Sequence, residues 1–317
     1  MSLLRHPTAP ITMSATPLRR RARSRLTQGA LPYLLLAPAL LVIVAVVLYP
    51  MLYSATLSFF KANLLNMDRM TFVGLQNYVD ILTDSAFWRS LWVTVQYTVG
   101  VVALSFGLGL GTALMLNVRF PLRGLARALI IIPWATPWLV TTLIWYVMFN
   151  PQIGPINAIL KQLGLIETGV AWLYLNGTAM PVIILVTAWR LFPTTTLLVL
   201  AALQSISPEL YEAAEVDGAG WLGKLRYITL PGISATSFVS LVLVTISAFK
   251  LFTVAWVMTA GGPGDVTRVL SVFVYEEAFR FFRVGPSSTL ATLLFILSAG
   301  LVVAYFRLLQ GGRDEPE

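Results

Sequence analysis

The chain of 317 residues contains no cysteine and a single histidine, His6. The absence of cysteine excludes disulfide bonds, thiolate metal sites and a cysteine nucleophile. One histidine in a polar tail also argues against a histidine-based metal site or catalytic triad. Charged residues are scarce, at 11%, whereas soluble domains contain about 25%. We therefore expect neither a soluble protein nor an enzyme with a metal, a bound cofactor or catalytic residues of its own.

Hydrophobic residues make up 57% of the chain, and they occur in long uncharged stretches. A membrane-spanning helix needs about 20 mostly apolar residues, so these stretches indicate where the chain crosses a bilayer. Barrel strands would instead alternate over about 10 residues, and no such pattern occurs. We predict an all-α membrane protein, a bundle of six transmembrane helices. The predicted spans are 31–58, 90–116, 125–149, 179–202, 232–259 and 286–307.

Basic residues are distributed unequally across these spans. Of the 22 Lys and Arg residues, thirteen lie on the side of the N-terminus and seven on the opposite side, while Arg190 and Lys250 lie within spans. Loops on the cytoplasmic side carry the excess of Lys and Arg in membrane proteins. We therefore expect a multi-pass membrane protein with both termini in the cytoplasm.

A cluster of arginines between Arg19 and Arg25 precedes the first uncharged stretch. That stretch, 26–60, is much longer than the apolar region of about 7–15 residues in a signal peptide, so we expect a retained helix. The predicted organisation has three parts. They are a basic, disordered cytoplasmic tail at 1–30, a transmembrane domain at 31–308 with its core at 90–308, and a cytoplasmic tail at 309–317.

The cytoplasmic loop 205–231 has the strongest local signals. Ser207 is a suitable N-cap, good helix formers follow it, and Gly218 is placed to end the helix in a left-handed conformation. A second short amphipathic segment, 219–228, leads to Pro231, where the fifth span is expected to begin. The pattern predicts a helix–turn–helix on the membrane surface. It is either a docking site for a cytoplasmic partner or an ordinary connecting loop.

One segment of this loop, 218–224, matches the first seven positions of a phosphate-binding P-loop. The eighth position is Leu225, which has no hydroxyl for magnesium, and a predicted helix rather than a strand precedes the segment. We therefore do not expect this chain to bind a nucleotide.

The same loop carries a family resemblance. Glu212-Ala213-Ala214, followed after three residues by Gly218 and after nine more by Ile228-x-Leu230-Pro231, resembles the "EAA" signature of permease subunits of binding-protein-dependent ABC importers. Other segments resemble the sugar-importing branch, of the maltose and glycerol-3-phosphate type. They are Phe72–Tyr78, Ile131–Trp134, Met148–Asn150, Gly154–Asn157, Ala201–Gln204, Phe249–Phe252 and Met258–Pro263. Ala260 stands where the family pattern has a third glycine.

The resemblance implies a type I importer permease fold and a set of partners. These are a second homologous permease subunit, two ATPase subunits that hold ATP and magnesium, an extracytoplasmic sugar-binding protein and the lipid bilayer of a prokaryotic cell, with no nucleic acid. The permease itself is not an enzyme and binds no cofactor. Transport then proceeds by alternating access, with helix bundles rocking around a site near the midplane.

The resemblance also implies roles for individual residues. In the family the EAA loop docks into a cleft of the ATPase, and a carboxylate at Glu212 suits an ion pair with a basic side chain there. Glu209 and Glu215 are expected to lie on a solvated face. The expected ATPase-coupling residues are Glu212, Ala213, Ala214, Asp217, Gly218, Ile228, Leu230 and Pro231. The turn Gly261-Gly262-Pro263 is expected near the surface that receives the binding protein.

Arg190 and Lys250 are candidates for the substrate path, because a charge near the bilayer centre should face water or the bundle interior. Each either contacts substrate, or binds a backbone carbonyl or snorkels to the interface. A basic lining tolerates a neutral sugar and suits an anionic one.

Aromatic residues of spans three and four suit a sugar ring. Trp134, Trp138 and Trp145 are spaced to share one helical face, near the bend expected from Pro133 and Pro137. They either contact substrate or pack between helices. The candidate path residues are Trp134, Trp138, Trp145, Asn150, Trp189, Arg190 and Lys250.

Two rival functions are compatible with parts of the sequence. An ABC permease for a polyamine, phosphate or an amino acid keeps the class and changes the cargo, but a polyamine path should contain carboxylates, and the predicted spans contain none. An ATP-independent secondary transporter or channel would lack the EAA signature. The glycines at 107, 109 and 111 predict close helix packing rather than a ligand site.

Overall fold

The computed structural model describes residues 25–311, which are mostly helical. The described chain divides into two compact units, with the boundary between Leu52 and Tyr53. The predicted tails at 1–24 and 312–317 lie outside the described residues. Residues 25–30 were expected in the N-terminal tail but form the start of a helix, and the last helix continues to Gly311.

The first predicted span is confirmed as an uninterrupted helical stretch. Helix α1 (Arg25–Ile43) passes through a π-helical turn (Val44–Leu48) into α2 (Tyr49–Leu57). The segment Leu35–Leu57 is long and apolar enough to cross a membrane.

A small structured loop follows. Strands β1 (Phe60–Lys61) and β2 (Thr71–Phe72) form an antiparallel pair in which Phe60 lies opposite Phe72. Helix α3 (Gln76–Thr83) packs beside them through Asn77, whose Nδ2 donates to the Ser58 and Phe60 carbonyls at 2.7 and 3.0 Å. The hairpin is the one regular β element among the described residues.

The remaining helices are α4 (Ser85–Asn117), α5 (Arg123–Ala135), α6 (Trp138–Met148), α7 (Pro155–Gln162), α8 (Ala179–Ser205), α9 (Pro208–Val216), α10 (Trp221–Lys224), α11 (Leu230–Phe249), α12 (Thr253–Thr259), α13 (Leu270–Tyr275) and α14 (Val284–Gly311). Within the described residues, four further helical segments could span a membrane: Ser85–Asn117, Ala179–Ser205, Trp221–Phe249 and Val284–Arg307. They confirm the predicted second, fourth and sixth spans and most of the fifth.

Helices α4 and α8 form the centre of the bundle. The glycine expectation is confirmed at Gly109, where an added Cβ would lie 2.5 Å from Thr195 Cβ, while Gly107 and Gly111 face open space. Paired hydroxyls join the two helices: Tyr97 Oη and Thr187 Oγ1 lie 2.6 Å apart, as do the hydroxyl oxygens of Thr112 and Thr196. Such pairs satisfy polar groups between helices in lipid.

The third predicted span, 125–149, is not a single straight helix. Helices α5 and α6 meet at Thr136 and Pro137 with a bend of 97°. Thr136 is extended (φ −76°, ψ 134°), as expected for a residue before proline. The bend predicted from the two prolines is confirmed, but the shared face of Trp134, Trp138 and Trp145 was wrong, because Trp134 lies on α5 and the other two on α6.

The fifth predicted span, 232–259, was wrong at both ends. The helix begins at Trp221, and a π-helical turn (Leu225–Thr229) joins α10 to α11, so the segment 219–228 is largely part of the span. At the other end α11 stops at Phe249, and Lys250 to Phe252 separate it from α12. Pro231 does not mark the start of this span, because the helical segment has already begun at Trp221.

Candidate functional site

Residues 205–231, called the coupling loop after the role that the family resemblance implies, contain the helix cap and the helix stop that the local signals predict. Ser207 caps α9, with its Oγ accepting from the Glu209 amide at 3.3 Å. Gly218 ends the helix at φ +78°. The Gly218 amide donates to the Glu215 carbonyl at 3.1 Å and the Ala219 amide to the Ala214 carbonyl at 2.8 Å. These two bonds form a Schellman motif, so α9 carries its own stop signal.

Two side-chain contacts attach α9 to the start of the next span. Lys224 Nζ lies 2.6 Å from Glu215 Oε1, and the Tyr211 and Thr229 hydroxyl oxygens lie 3.0 Å apart. The hydrogen bond from Lys224 lowers the pKa of Glu215. Glu215, expected to be only solvated, therefore has a partner within the chain. These contacts make α9, α10 and the base of α11 one connected unit.

The coupling loop exposes a mixed acidic and apolar surface. Glu212, Ala213, Asp217 and Gly218 are exposed, and Ala214 is half-buried. Large apolar side chains of the same loop are exposed as well: Leu210, Val216, Trp221, Leu222 and Tyr227 are all more than half exposed, Val216 at 88%. The predicted residues Ile228, Leu230 and Pro231 lie on the helix that continues into the fifth span.

Arg190 lies in the middle of α8 and points at the break between α5 and α6. Its Nε donates to the Thr136 carbonyl at 3.0 Å, and its guanidinium carbon lies 4.2 Å from the centre of the Trp138 ring. The carbonyl has no helical partner, because Thr136 is extended and lies between the two helices. Of the alternatives left open for Arg190, the geometry matches contact with a backbone carbonyl.

Three of the predicted tryptophans lie near this break, two of them in contact with each other and the third with Arg190. Trp145 and Trp189 meet edge to face with ring centres 5.5 Å apart, and Trp138 lies under Arg190. Trp145 also stacks on Phe149 at 5.7 Å. Trp134 lies on the other side of the bend, is 52% exposed and is not among these contacts. The candidate path is thus an aromatic cluster, Trp138, Trp145 and Trp189, beside a broken helix.

Asn150 organises the turn after α6. Its Oδ1 accepts from the amides of Gln152 and Ile153 at 2.9 and 3.0 Å. Asn157 then links the following loop: its Nδ2 donates to the carbonyls of Asn150 and Val170, and its Oδ1 accepts from Trp172 Nε1 at 2.9 Å. The side-chain oxygen of Asn150 is therefore already used within its own turn.

Lys250 lies apart from the aromatic cluster. It is exposed at the C-terminal end of α11 and lines a cavity of about 440 Å³ with residues of α13 and α14, among them Ser271 and Ala291. The position at a helix end matches the snorkelling alternative.

Gly261, Gly262 and Pro263 form a tight turn after α12. Gly261 has φ +85° and Ala260 has φ +47°. Thr267 fastens the turn, with its Oγ1 donating to the Gly262 carbonyl at 2.7 Å. The glycine that the family pattern has in place of Ala260 is explained by this left-handed backbone, which glycine adopts without steric cost.

A group at the base of the coupling loop was missed. Arg123 and Arg127 of α5 face Gln204 at the end of α8, and the sequence had shown the arginines only as part of the charge bias. With its amide oxygen turned toward them, Gln204 accepts from Arg127 Nη2 at 2.7 Å and Arg123 Nη2 at 3.2 Å. The signal available was their spacing of four residues, which places both arginines on one face of α5.

A second missed group lies after the turn at 261–263. Glu276 is buried and pairs with Arg268 at 2.6 Å and Arg280 at 2.9 Å, and the neighbouring Glu277 pairs with Arg283. Burial raises the pKa of Glu277. These pairs hold the loop in place. Within residues 25–311 no three side chains of His, Cys, Asp or Glu are grouped to hold a metal ion.

Comparison with known proteins places the chain in a family. Residues 103–311 match the family described as "Binding-protein-dependent transport system inner membrane component". The chain is 35% identical over 290 residues to the trehalose/maltose transport system permease protein MalF of Thermococcus litoralis, an alignment that covers 90% of this chain and 96% of that protein. It is 34% identical over 280 residues to the sulfoquinovosyl glycerol transport system permease protein SmoG of Agrobacterium fabrum, covering 88% and 90%.

The fold is also that of a solved transporter. The chain superposes with a TM-score of 0.79 on a chain of a bacterial ABC transporter involved in the import of the acidic polysaccharide alginate, with 21% identity, covering 92% of this chain and 100% of that one. The chain therefore belongs to the binding-protein-dependent ABC permease family. It is an inner-membrane, multi-pass subunit and not the ATPase.

Proposed function

We propose that this permease carries a carbohydrate or a carbohydrate derivative into the cell. The observation that carries the proposal is the near full-length similarity to permeases named for trehalose/maltose and sulfoquinovosyl glycerol. The aromatic cluster supports it, because ligand sites combine aromatic surfaces with a few polar groups. No Asp or Glu occurs in the described spans, which disfavours a polyamine.

In this proposal the coupling loop receives a cytoplasmic ATPase that holds ATP and magnesium. The exposed carboxylate of Glu212 and the apolar side chains around it form the contact, since a charged residue within an apolar surface gives both attraction and specificity. A second, homologous permease subunit, a second ATPase copy and an extracytoplasmic binding protein complete the assembly. The turn Gly261-Gly262-Pro263 is proposed to face the binding protein.

The substrate path is proposed to pass the break between α5 and α6. Interrupted helices occur at the substrate sites of transporters because the break exposes backbone polar groups near the midplane. Trp138, Trp145 and Trp189 supply ring surfaces there, and Arg190 holds the break. Transport is by alternating access, in which ATP binding opens the permease outward against the docked binding protein and hydrolysis returns it inward.

Uptake in a deletion strain tests both parts of the proposal. Labelled mono-, di- and trisaccharides, polyols and sugar phosphates are offered to the deletion strain and to strains complemented with the wild type, Glu212→Lys or Glu209→Lys. Glu209 is the matched control, since it lies in the same helix with an exposed side chain but outside the EAA signature. We expect one carbohydrate to be lost in the deletion and in Glu212→Lys, and to be taken up by the wild type and Glu209→Lys.

Two results would contradict the proposal in different ways. Uptake that survives Glu212→Lys would remove the coupling role and leave the transport role in place. A deletion that loses a polyamine, phosphate or amino acid instead of a carbohydrate would remove the cargo assignment and leave the permease role in place.

A further inference from the structure

The helix α5 is attached to α8 at both of its ends by arginine side chains. At the end near the coupling loop, Arg123 and Arg127 of α5 hold Gln204 of α8. At the break, Arg190 of α8 holds the carbonyl of Thr136, the residue after α5. The two attachments are separated by nearly the full length of the 13-residue helix.

The attachment at Gln204 lies directly at the root of the coupling loop. Gln204 is the penultimate residue of α8, and α9 begins four residues later. Arg123 is itself held in place, since its Nε donates to the Leu116 carbonyl at 2.6 Å. Arg127 contacts Gln204 through Nη2, while its Nε is buried without a partner among the described residues. The guanidinium of Arg127 therefore depends on Gln204 for its hydrogen bond.

The space around this contact is open. A cavity of about 570 Å³ lies between α5 and α9, and Arg119, Arg123, Arg127, Gln204, Tyr211 and Glu212 line it. No carboxylate lies within 4 Å of these arginines in the described part of the chain, so they form no ion pair with Glu212. Gln204 is thus the polar link between the coupling-loop root and α5.

The other side of the coupling loop is attached to the fifth span. Tyr211 meets Thr229 and Glu215 meets Lys224, so α9 moves with the base of α11. A displacement of α9 then reaches two places: the fifth span through these contacts, and α5 through Gln204. Because α5 ends at the break, any tilt of α5 changes the position of Thr136 relative to the aromatic cluster.

We infer that Arg127 and Gln204 are a positioning pair. Through this pair, movement of the coupling loop tilts α5 and reaches the break held by Arg190. A charge-assisted hydrogen bond suits this task because it is strong and directional. The inference rests on the proposed function for its source of movement, the ATPase, but the pair itself is a property of this chain.

The first test separates coupling from folding in the assembled importer. The full complex with its ATPase and binding protein is placed in proteoliposomes, and ATP hydrolysis and substrate uptake are measured together. Arg127→Gln and Gln204→Leu are expected to lower uptake by about tenfold, the scale of one charged hydrogen bond, while ATP hydrolysis continues. Gln204→Glu retains an acceptor and should keep uptake within about twofold of the wild type.

The matched control is Arg307→Gln, since Arg307 is an exposed basic side chain near the C-terminal end of α14, outside the coupling loop and outside the contact between Arg127 and Gln204. The double variant Arg127→Gln/Gln204→Leu should be no worse than either single variant, because both remove the same contact. Uptake and hydrolysis that fall in proportion would overturn the inference, since that result indicates lost ATPase docking. Unchanged uptake would overturn it as well.

A second measurement needs neither cargo nor partner. The chain has no cysteine, so spin labels at Leu125→Cys and Leu210→Cys report only the distance between α5 and α9 in the full chain in nanodiscs. We expect a narrow distance distribution in the wild-type background and a broad one with Arg127→Gln. An unchanged distance distribution would overturn the inference about Arg127 and Gln204, even if the importer carries a sugar. A broad distribution in a chain that carries no sugar would support that inference and contradict the proposed cargo.

Discussion

Two proline-containing segments of this bundle respond to proline in opposite ways. Helix α8 contains Pro193 and remains one helix of 27 residues, whereas the segment with Pro133 and Pro137 turns through 97°. Proline removes a donor and clashes with the preceding turn in both cases. We infer that the difference depends on the groups that contact the backbone around each proline.

In α8, threonine hydroxyls and helix α4 contact the backbone around Pro193. Thr196 Oγ1 donates to the Phe192 carbonyl at 3.1 Å and lies 2.6 Å from Thr112 Oγ1 of α4. Gly109 allows α4 to approach, because its missing side chain leaves room for Thr195 and the Phe192 carbonyl. Hydroxyls and neighbouring helices are the groups that make proline tolerable in a membrane helix.

Beside Pro137, the carbonyl of the extended residue Thr136 is instead bound by a side chain from another helix. Thr136 is extended, and its oxygen accepts from Arg190. We infer that a partner outside the helix stabilises this bend, and that the contacts around a proline decide whether a helix changes direction there.

The largest effect is expected from disrupting the packing of α4 against α8. Gly109→Val places a Cβ 2.5 Å from Thr195 Cβ and 3.0 Å from the Phe192 carbonyl, so α4 must move away from α8. We expect a loss of about 3 kcal/mol or more. Thermal unfolding in detergent, followed by the fluorescence of the nine tryptophans, measures it.

Gly107→Val is the matched control, since it makes the same change on the same helix at a position with open space. Equal destabilisation by the two variants would contradict the role of Gly109 and point to a general cost of valine in α4.

The next effect concerns Arg190, the partner of the Thr136 carbonyl. Arg190→Gln removes the donor to Thr136, and we expect the break to lose about 2 kcal/mol of stabilisation. Spin labels at Leu125→Cys and Ile144→Cys, on the two sides of the break, measure the angle. A 97° bend puts these backbone positions about 18 Å apart, and a straight helix about 28 Å, at 1.5 Å per residue.

In Arg190→Gln the distance should broaden toward the longer value, and Arg190→Lys, which keeps a cationic donor, should broaden less. If Arg190→Gln leaves the distance distribution narrow at the short distance, Pro137 alone determines the bend. The inference that contacts around a proline decide the direction of a helix would then not hold for α5 and α6.

The two regions also differ in how far sequence reasoning reached. The N-cap at Ser207 and the stop at Gly218 follow from local rules, and the structure confirms both. The bend near Pro137 was expected, but Arg190, which binds the carbonyl at the bend, lies 53 residues further along the chain. For the same reason Trp134 was placed on the wrong face. Gln204 and its arginines were missed because their contact joins separate helices.

A smaller effect is expected at the C-terminal end of α12, where alanine occupies a position that suits glycine. Ala260 ends α12 in a left-handed conformation at φ +47°, while Gly218 ends α9 with a glycine. Ala260→Gly removes the steric cost of that conformation, offset in part by the greater freedom of glycine in the unfolded chain. We expect a net gain of about 0.5–1 kcal/mol, seen as a rise in Tm.

Ala128→Gly is the control, since Ala128 is an exposed residue inside α5 and glycine there should lower the Tm. A fall in Tm for Ala260→Gly would mean that the turn at 261–263 tolerates Ala260 without strain.

The smallest effect is expected at the turn between α9 and α10. The Schellman bonds close this turn through the backbone, so the Lys224–Glu215 pair only adds to them. Lys224 lowers the pKa of Glu215 from its ordinary value of 4.5. The contribution of a carboxylate with a lowered pKa is present above the ordinary value and is lost as the pH falls through the lowered one. Exposed pairs of this kind contribute little, and salt weakens them further.

Lys224→Gln should therefore speed amide exchange at Gly218–Gly220 slightly at neutral pH, and this difference from the wild type should vanish in acid and at high salt. Arg226→Gln should show no difference at any pH. Complete loss of protection along α9 in Lys224→Gln would contradict the self-capped turn. The helix end would then resemble the break at Thr136, where a single side chain from outside the helix holds the backbone in place.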